Sequence, residues 1–164
     1  MNNTYIIREA DSDDAEKMIL YLNQVGGESD NLLHGENEFI VPIEGVRRKL
    51  AMSKDSENSI VLIALDNEQI IARAELEGYY AARIRHRAKF SISVKKEYWN
   101  QGIGTEIMKR LLKQVDEYKK VNPRIRTYLG ASKPAVISRI ITLLSLPSGV
   151  ANGATINTCS PTVT

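Results

Sequence analysis

The turn Asn100 to Thr105, NQGIGT, joins an alternating, strand-like segment to a helical one, and its composition suits an anion. The start of a helix leaves backbone N–H groups without intrahelical acceptors, and the helix dipole adds partial positive charge there. Gly102 and Gly104 have no side chain to hold a ligand away from those amides, so the turn could cradle a phosphate or pyrophosphate. A tight turn with a helix packed closely behind it would need the same two glycines. Nucleotide loops of the commoner kinds do not fit. No Lys-Ser/Thr follows Gly104, and a dinucleotide fingerprint needs a third glycine after a parallel βαβ unit.

Groups able to move a proton are few. Glu75 and Glu77 fall on one face of a strand, where either could accept a proton or bind a cationic acceptor; the expectation for both is that they solvate the outer face of a sheet. His86 has the intrinsic pKa of a general base, but its place on the apolar side of the next strand also fits a hydrogen-bonded core histidine. Glu36 and Glu38 could line an acceptor loop or stand in solvent. One cysteine, Cys159, and two histidines, His34 and His86, leave no basis for a disulfide framework or a Cys/His zinc site, so no metal is expected.

The elements that must position these groups follow from periodicity. TYIIREAD reads as a strand ending in a helix cap at Asp11 or Ser12. Ala15, Met18, Ile19, Leu22 and Val25 form the stripe of a helix stopped by GGES, and NLLHGENEFIVP reads as a loop. After Pro42, a second helix carries Ile43, Val46, Leu50 and Ala51 on its apolar side. SIVLIALD and IIARAELEGYY, joined by DNEQ, predict a hairpin with Ala72, Ala74 and Leu76 on one face and Arg73, Glu75 and Glu77 on the other. RIRHRAKFSISV extends it, with His86, Ala88, Phe90, Ile92 and Val94 on one side. Ile103, Ile107, Leu111, Val115 and Tyr118 then give a helix closed by Asn122-Pro123, and RIRTYL a fifth strand. The predicted class is α/β, in the layered α+β sense: a mostly antiparallel central sheet flanked by helices.

Bulk properties fit one domain over residues 1–164. A balance of 22 basic and 20 acidic residues, net +2, implies no nucleic-acid footprint and no membrane-surface patch. The longest apolar tract, Ala135 to Leu146, is broken by Arg139 and too short to span a bilayer, and the N-terminus lacks a signal pattern; a cytoplasmic protein is expected.

FSISVKKEYWNQGIGTEIMKRLL, Phe90 to Leu112, resembles motif A of the GNAT family of N-acetyltransferases, and the element order from Thr4 to Leu129 is similar to that family's. Its pattern is Arg/Gln, two residues, Gly, any residue, Gly/Ala. Gly102 and Gly104 match, while Trp99 stands in the first position. The resemblance implies a GNAT-like acyl-CoA N-acyltransferase fold in which the amides of Asn100, Gln101, Gly102, Ile103, Gly104 and Thr105 hold the pyrophosphate of acetyl-CoA. It also implies that the strand at Ile92 and Val94 pairs with the pantetheine arm as an added strand would. The implied reaction is direct: an amine attacks the thioester carbonyl, a base takes its proton, and no covalent nucleophile is needed. Glu75 and His86 are the candidate bases. The acceptor would be a small-molecule or protein amine.

From Leu129 to Thr164 the composition changes. No acidic or aromatic residue occurs, and Lys133 and Arg139 are the only charges, so the first 128 residues hold 20 basic (22 less these two) and all 20 acidic residues. Where the family has Asn-x-x-Ala-x-x-x-Tyr, SKPAVISR places Ser132 and Arg139 at the Asn and Tyr positions, so the expected thiolate acid is missing from its place. Residues 129–164 are therefore an atypical segment, either a divergent ending or the product of a changed reading frame. An apolar tail could also cover a second copy of the chain, which leaves a homodimer open. The alternative to an N-acetyltransferase is a catalytically impaired acyl-CoA-binding or regulatory module that kept the turn; a third reading is a domain in which the turn serves packing alone.

Overall fold

The computed structural model describes residues 5–28, 35–81, 83, 87–121 and 126–128. Strand β1 (Ile6–Glu9) runs into a single 3-10 turn, Ser12–Asp14, and then α1 (Ala15–Gly26). Two carboxylates cap this start. Asp11 Oδ1 accepts the Asp13 N–H at 3.0 Å, and Asp14 Oδ2 accepts the Asp11 N–H at 3.0 Å, the reciprocal arrangement of a capping box. Asp14 is buried and accepts from the two terminal nitrogens of Arg8, at 2.6 and 2.7 Å. Burial pushes the Asp14 carboxyl up, but Arg8 and the Asp11 N–H outweigh it and hold the group below its ordinary value.

Helix α2 (Ile43–Lys54) begins at Pro42, whose fixed φ suits the position before a first turn. It leads to β2 (Ser59–Asp66) and β3 (Gln69–Gly78). Asn67 and Glu68 join these two strands with φ of 45° and 69°, the pair of left-handed residues that a two-residue hairpin turn requires to match the strand twist. β4 (Arg87–Val94), α3 (Ile103–Val121) and β5 (Arg126–Tyr128) complete the order. The sheet runs β1-β2-β3-β4-β5, antiparallel through β4 and parallel between β4 and β5. The predicted mostly antiparallel sheet and its meander are present.

Helices cover both faces. On one, Ile103, Ile107, Met108 and Leu111 of α3 pack on Leu62, Ala72, Ala74, Leu76, Phe90 and Ile92. On the other, Met18, Tyr21 and Val25 of α1 with Val46 and Leu50 of α2 pack on Val61, Ile63 and Leu65. Two expectations are corrected. The Arg73–Glu75 side of β3 is not a solvated outer face, because α1 and α2 lie over it and leave Glu75 8% exposed. Ala51 is exposed and outside the stripe of α2, whose buried positions are Val46, Leu50 and Ser53; one residue past Leu50 turns the side chain about 100° away. The expected elements beyond Tyr128, and the side chains of Val115 and Tyr118, lie outside the described residues.

Tyr21 fastens α1 to the sheet: its hydroxyl and Ser93 Oγ on β4 are 2.9 Å apart, with both residues buried. Tyr21→Phe leaves Ser93 without that partner and is expected to cost about 1 to 2 kcal/mol in urea unfolding. Adding Ser93→Ala is then expected to cost little more, since both atoms of the bond are gone. Additive losses would show that the two hydroxyls act separately.

Candidate active site

The chain leaves β4 through a set of fixed bonds. Lys95 N–H donates to Ile71 O at 2.9 Å, Tyr98 N–H to Lys95 O at 3.0 Å and Trp99 N–H to Lys96 O at 3.1 Å, which winds Lys96–Tyr98 into one 3-10 turn. The Tyr98 hydroxyl donates to Asp66 Oδ2 at 2.9 Å, tying this turn to the end of β2; that bond, with some burial, raises the Tyr98 phenol above its ordinary value. The Lys96 N–H donates to Glu28 Oε2 at 2.6 Å, tying it also to the segment that follows α1. Asn100 and Gly102 then take left-handed conformations, φ 61° and 80°, and reverse the chain into α3.

The first rung of α3 is the bond from Glu106 N–H to Gly102 O, 3.0 Å. The N–H groups of Ile103, Gly104 and Thr105 precede that rung and have no acceptor within the helix. Ile103 is buried in the core and anchors the turn from beneath, while Asn100, Gln101 and Gly102 are exposed. Among the described residues a Cβ on Gly102 would meet nothing within 4 Å; its requirement for glycine is conformational. A Cβ on Gly104 would lie 3.6 Å from Val94 Cγ2, an ordinary contact, which puts the turn directly against the end of β4.

β4 offers backbone groups on that same side. Its pairing with β3 is regular, and Lys95 N–H points to β3. Antiparallel ladders bond through alternate residues, so Ile92 and Val94 direct their N–H and C=O groups away from β3, toward the edge where β5 pairs. β5 takes up only Arg87, Ala88 and Lys89 of β4. Among the described residues the strand edge at Ile92 and Val94 carries no strand partner.

The structure thus brings the turn residues, Ile92 and Val94 together. Glu75 lies elsewhere, on β3 and on the sheet face under α1 and α2. There it pairs with Arg73 and, at 2.8 Å, with Lys49 Nζ of α2. Burial pushes the Glu75 carboxyl up, but the two cations outweigh it and hold it below the usual carboxylate range. Glu77 is exposed. Glu36 and Glu38 are exposed too, with Glu38 Oε2 closing a local turn on the Gly35 N–H at 2.9 Å. His86 lies outside the described residues. Sequence reasoning missed Tyr21, Ser93 and Lys49 in this cluster. Tyr21 falls at helical spacing from Met18 and Val25, so that spacing was the available signal.

A central, mostly antiparallel sheet between helical layers, with a glycine turn against the end of β4, is the acyl-CoA N-acyltransferase fold. Comparison with solved structures agrees. A GNAT-family acetyltransferase from Streptococcus pneumoniae superposes with a TM-score of 0.72 at 22% identity, covering 85% of this chain and 82% of that one. yncA of Salmonella typhimurium, solved with its cofactor acetyl-CoA, gives 0.62 at 15% identity over 87% and 79% of the two chains. The PaiA N-acetyltransferase of Thermoplasma acidophilum, in complex with coenzyme A, gives 0.53 at 19% over 85% and 88%. At these identities the likeness speaks to the fold. The sequence supplies the rest: residues 30–133 match the acetyltransferase (GNAT) family, and the chain belongs to it. None of the curated proteins matches the sequence. Among the described residues no helix is long and apolar enough to cross a membrane.

The Glu75 cluster has a pH signature. Since the folded carboxyl titrates below its unfolded value, its contribution is complete above the ordinary carboxylate range and is lost as pH falls through the folded value. Glu75→Gln strands Arg73 and Lys49 and is expected to lower stability by about 3 kcal/mol near neutral pH. The deficit relative to the parent is expected to shrink as both are titrated downward. Urea unfolding at about pH 7 and about pH 3 measures this; a deficit independent of pH would remove the charge from the explanation.

Proposed function

We propose that the protein is an acetyl-CoA-dependent N-acetyltransferase acting on a primary amine by direct attack. The observation that carries this is the meeting, at Val94, of a strand edge that has no strand partner among the described residues and the first amides of α3. Amides over Asn100 to Thr105 would take the pyrophosphate, where the helix dipole and the donors of Ile103 to Thr105, which precede the first helical rung, favour it. The backbone of Ile92 and Val94 would pair with the amide-bearing pantetheine arm. Membership of the family and the cofactors of yncA and PaiA support acetyl-CoA as the cosubstrate.

In the reaction, the amine lone pair attacks the thioester carbonyl, the C–S bond breaks, and the products are an amide and the CoA thiolate. One proton leaves the nitrogen and one joins the sulfur. A free alkyl amine is mostly protonated near neutral pH, so it arrives as a cation and must lose a proton before it attacks. Of the two candidate bases, Glu75 is held by Arg73 and Lys49 and would have to exchange them for the acceptor, while His86 stays the candidate for taking the proton. The acceptor is a small-molecule or protein amine.

Thermal unfolding with and without acetyl-CoA tests the cofactor site. At about a hundredfold excess over Kd, ligand bound only to the folded state adds about 2.7 kcal/mol, a rise of several degrees in Tm. The Gly102→Glu, Gly104→Glu double variant is expected to lose that rise whatever its own Tm, since carboxylates would stand over the turn. A folded parent with no rise would remove the cofactor reading and leave the turn as packing. With binding established, release of CoA thiol in the presence of a panel of amines separates an enzyme from a module that binds without transfer.

A further inference from the structure

Trp99 stands where the family pattern has Arg or Gln, and the structure gives it a different task. Its indole Nε1–H donates to Val94 O at 2.8 Å. Val94 is the last residue of β4, and its carbonyl is one of the groups that point away from β3. The indole ring itself is half-buried, one residue before the left-handed Asn100. The strand and the turn are therefore stapled at one residue, the Val94 carbonyl being held by Trp99.

We propose that Trp99 is a positioning residue that sets the spacing between the two halves of the cofactor site, the strand edge and the amide turn. This rests on the acetyl-CoA reading above. A ligand that bridges both halves gains from having them held at the right separation, because binding of one end then raises the effective concentration of the other. A fragment that touches only one half gains nothing from it. The indole bond leaves the Ile92 N–H, Ile92 C=O and Val94 N–H to serve a ligand, so the staple and the strand-like pairing use different atoms.

Two replacements remove the bond. Trp99→Phe keeps an aromatic ring without a donor. Because Trp99 is the only tryptophan in the chain, biosynthetic substitution by benzothienylalanine replaces the N–H with sulfur and leaves the ring size almost unchanged. The probes are acetyl-CoA, which spans both halves, and ADP, which carries the pyrophosphate and adenosine without the pantetheine arm; Kd for each is read by calorimetry on the full chain. In both variants acetyl-CoA is expected to bind about fivefold more weakly, the factor corresponding to one hydrogen bond of about 1 kcal/mol, with ADP changed less than twofold. Equal losses for the two ligands would mean that the turn itself has collapsed and would overturn the proposal. Unchanged acetyl-CoA binding in the benzothienylalanine protein would overturn it as well. Failure of the parent to bind acetyl-CoA would instead sink the cofactor reading, a distinct result.

Discussion

The site depends on the alternation built into an antiparallel ladder. β4 spends the backbone groups of every second residue on β3, and the intervening residues Ile92 and Val94 must face the other way. Side chains alternate between faces with the same period, so these two residues also place their side chains toward α3 and tie its first turn to the strand. One periodicity thus fixes where the outward amides are and which helix N-terminus stands beside them. The three-residue pairing of β5 leaves that stretch of edge open among the described residues.

Much of this was legible. Alternation over Ala88 to Val94 marked a strand, a run from Ile103 marked a helix, and two glycines between them marked a turn needing unusual backbone; the structure has φ of 80° at Gly102. What local pattern could not show was the second helical layer. Arg73 and Glu75 alternate with alanines and a leucine, which in a sheet covered on one face means solvent exposure. Here α1 and α2 cover the polar side as well, and the charges persist because they pair with each other and with Lys49. The polar sequence was correctly read and its environment was not, since the covering helices, Ala15–Gly26 and Ile43–Lys54, come from well upstream in the chain.

The Trp99 departure from the family pattern is of the same kind. Read as sequence it removes an expected polar side chain; in space the indole supplies a donor to the backbone at Val94. The family match ends at residue 133, shortly after Tyr128, the last aromatic residue, and past Glu117, the last acidic one, so the match and the composition change in the same part of the chain. Both halves of the candidate cofactor site lie upstream of that change.

The bond from Lys96 N–H to Glu28 Oε2 joins the segment after α1 to the turn that leads into α3. In evolutionary terms, it makes two traits pleiotropic. Helices α1 and α2 lie on the sheet face away from α3, and a chain can change what it recognises by changing the residues that connect such helices. Any drift that removes Glu28 also releases an anchor of the glycine turn, so diversification of one side is constrained by retention on the other. Selection is then expected to hold Glu28 more tightly than the exposed Glu36 and Glu38 of the same connection.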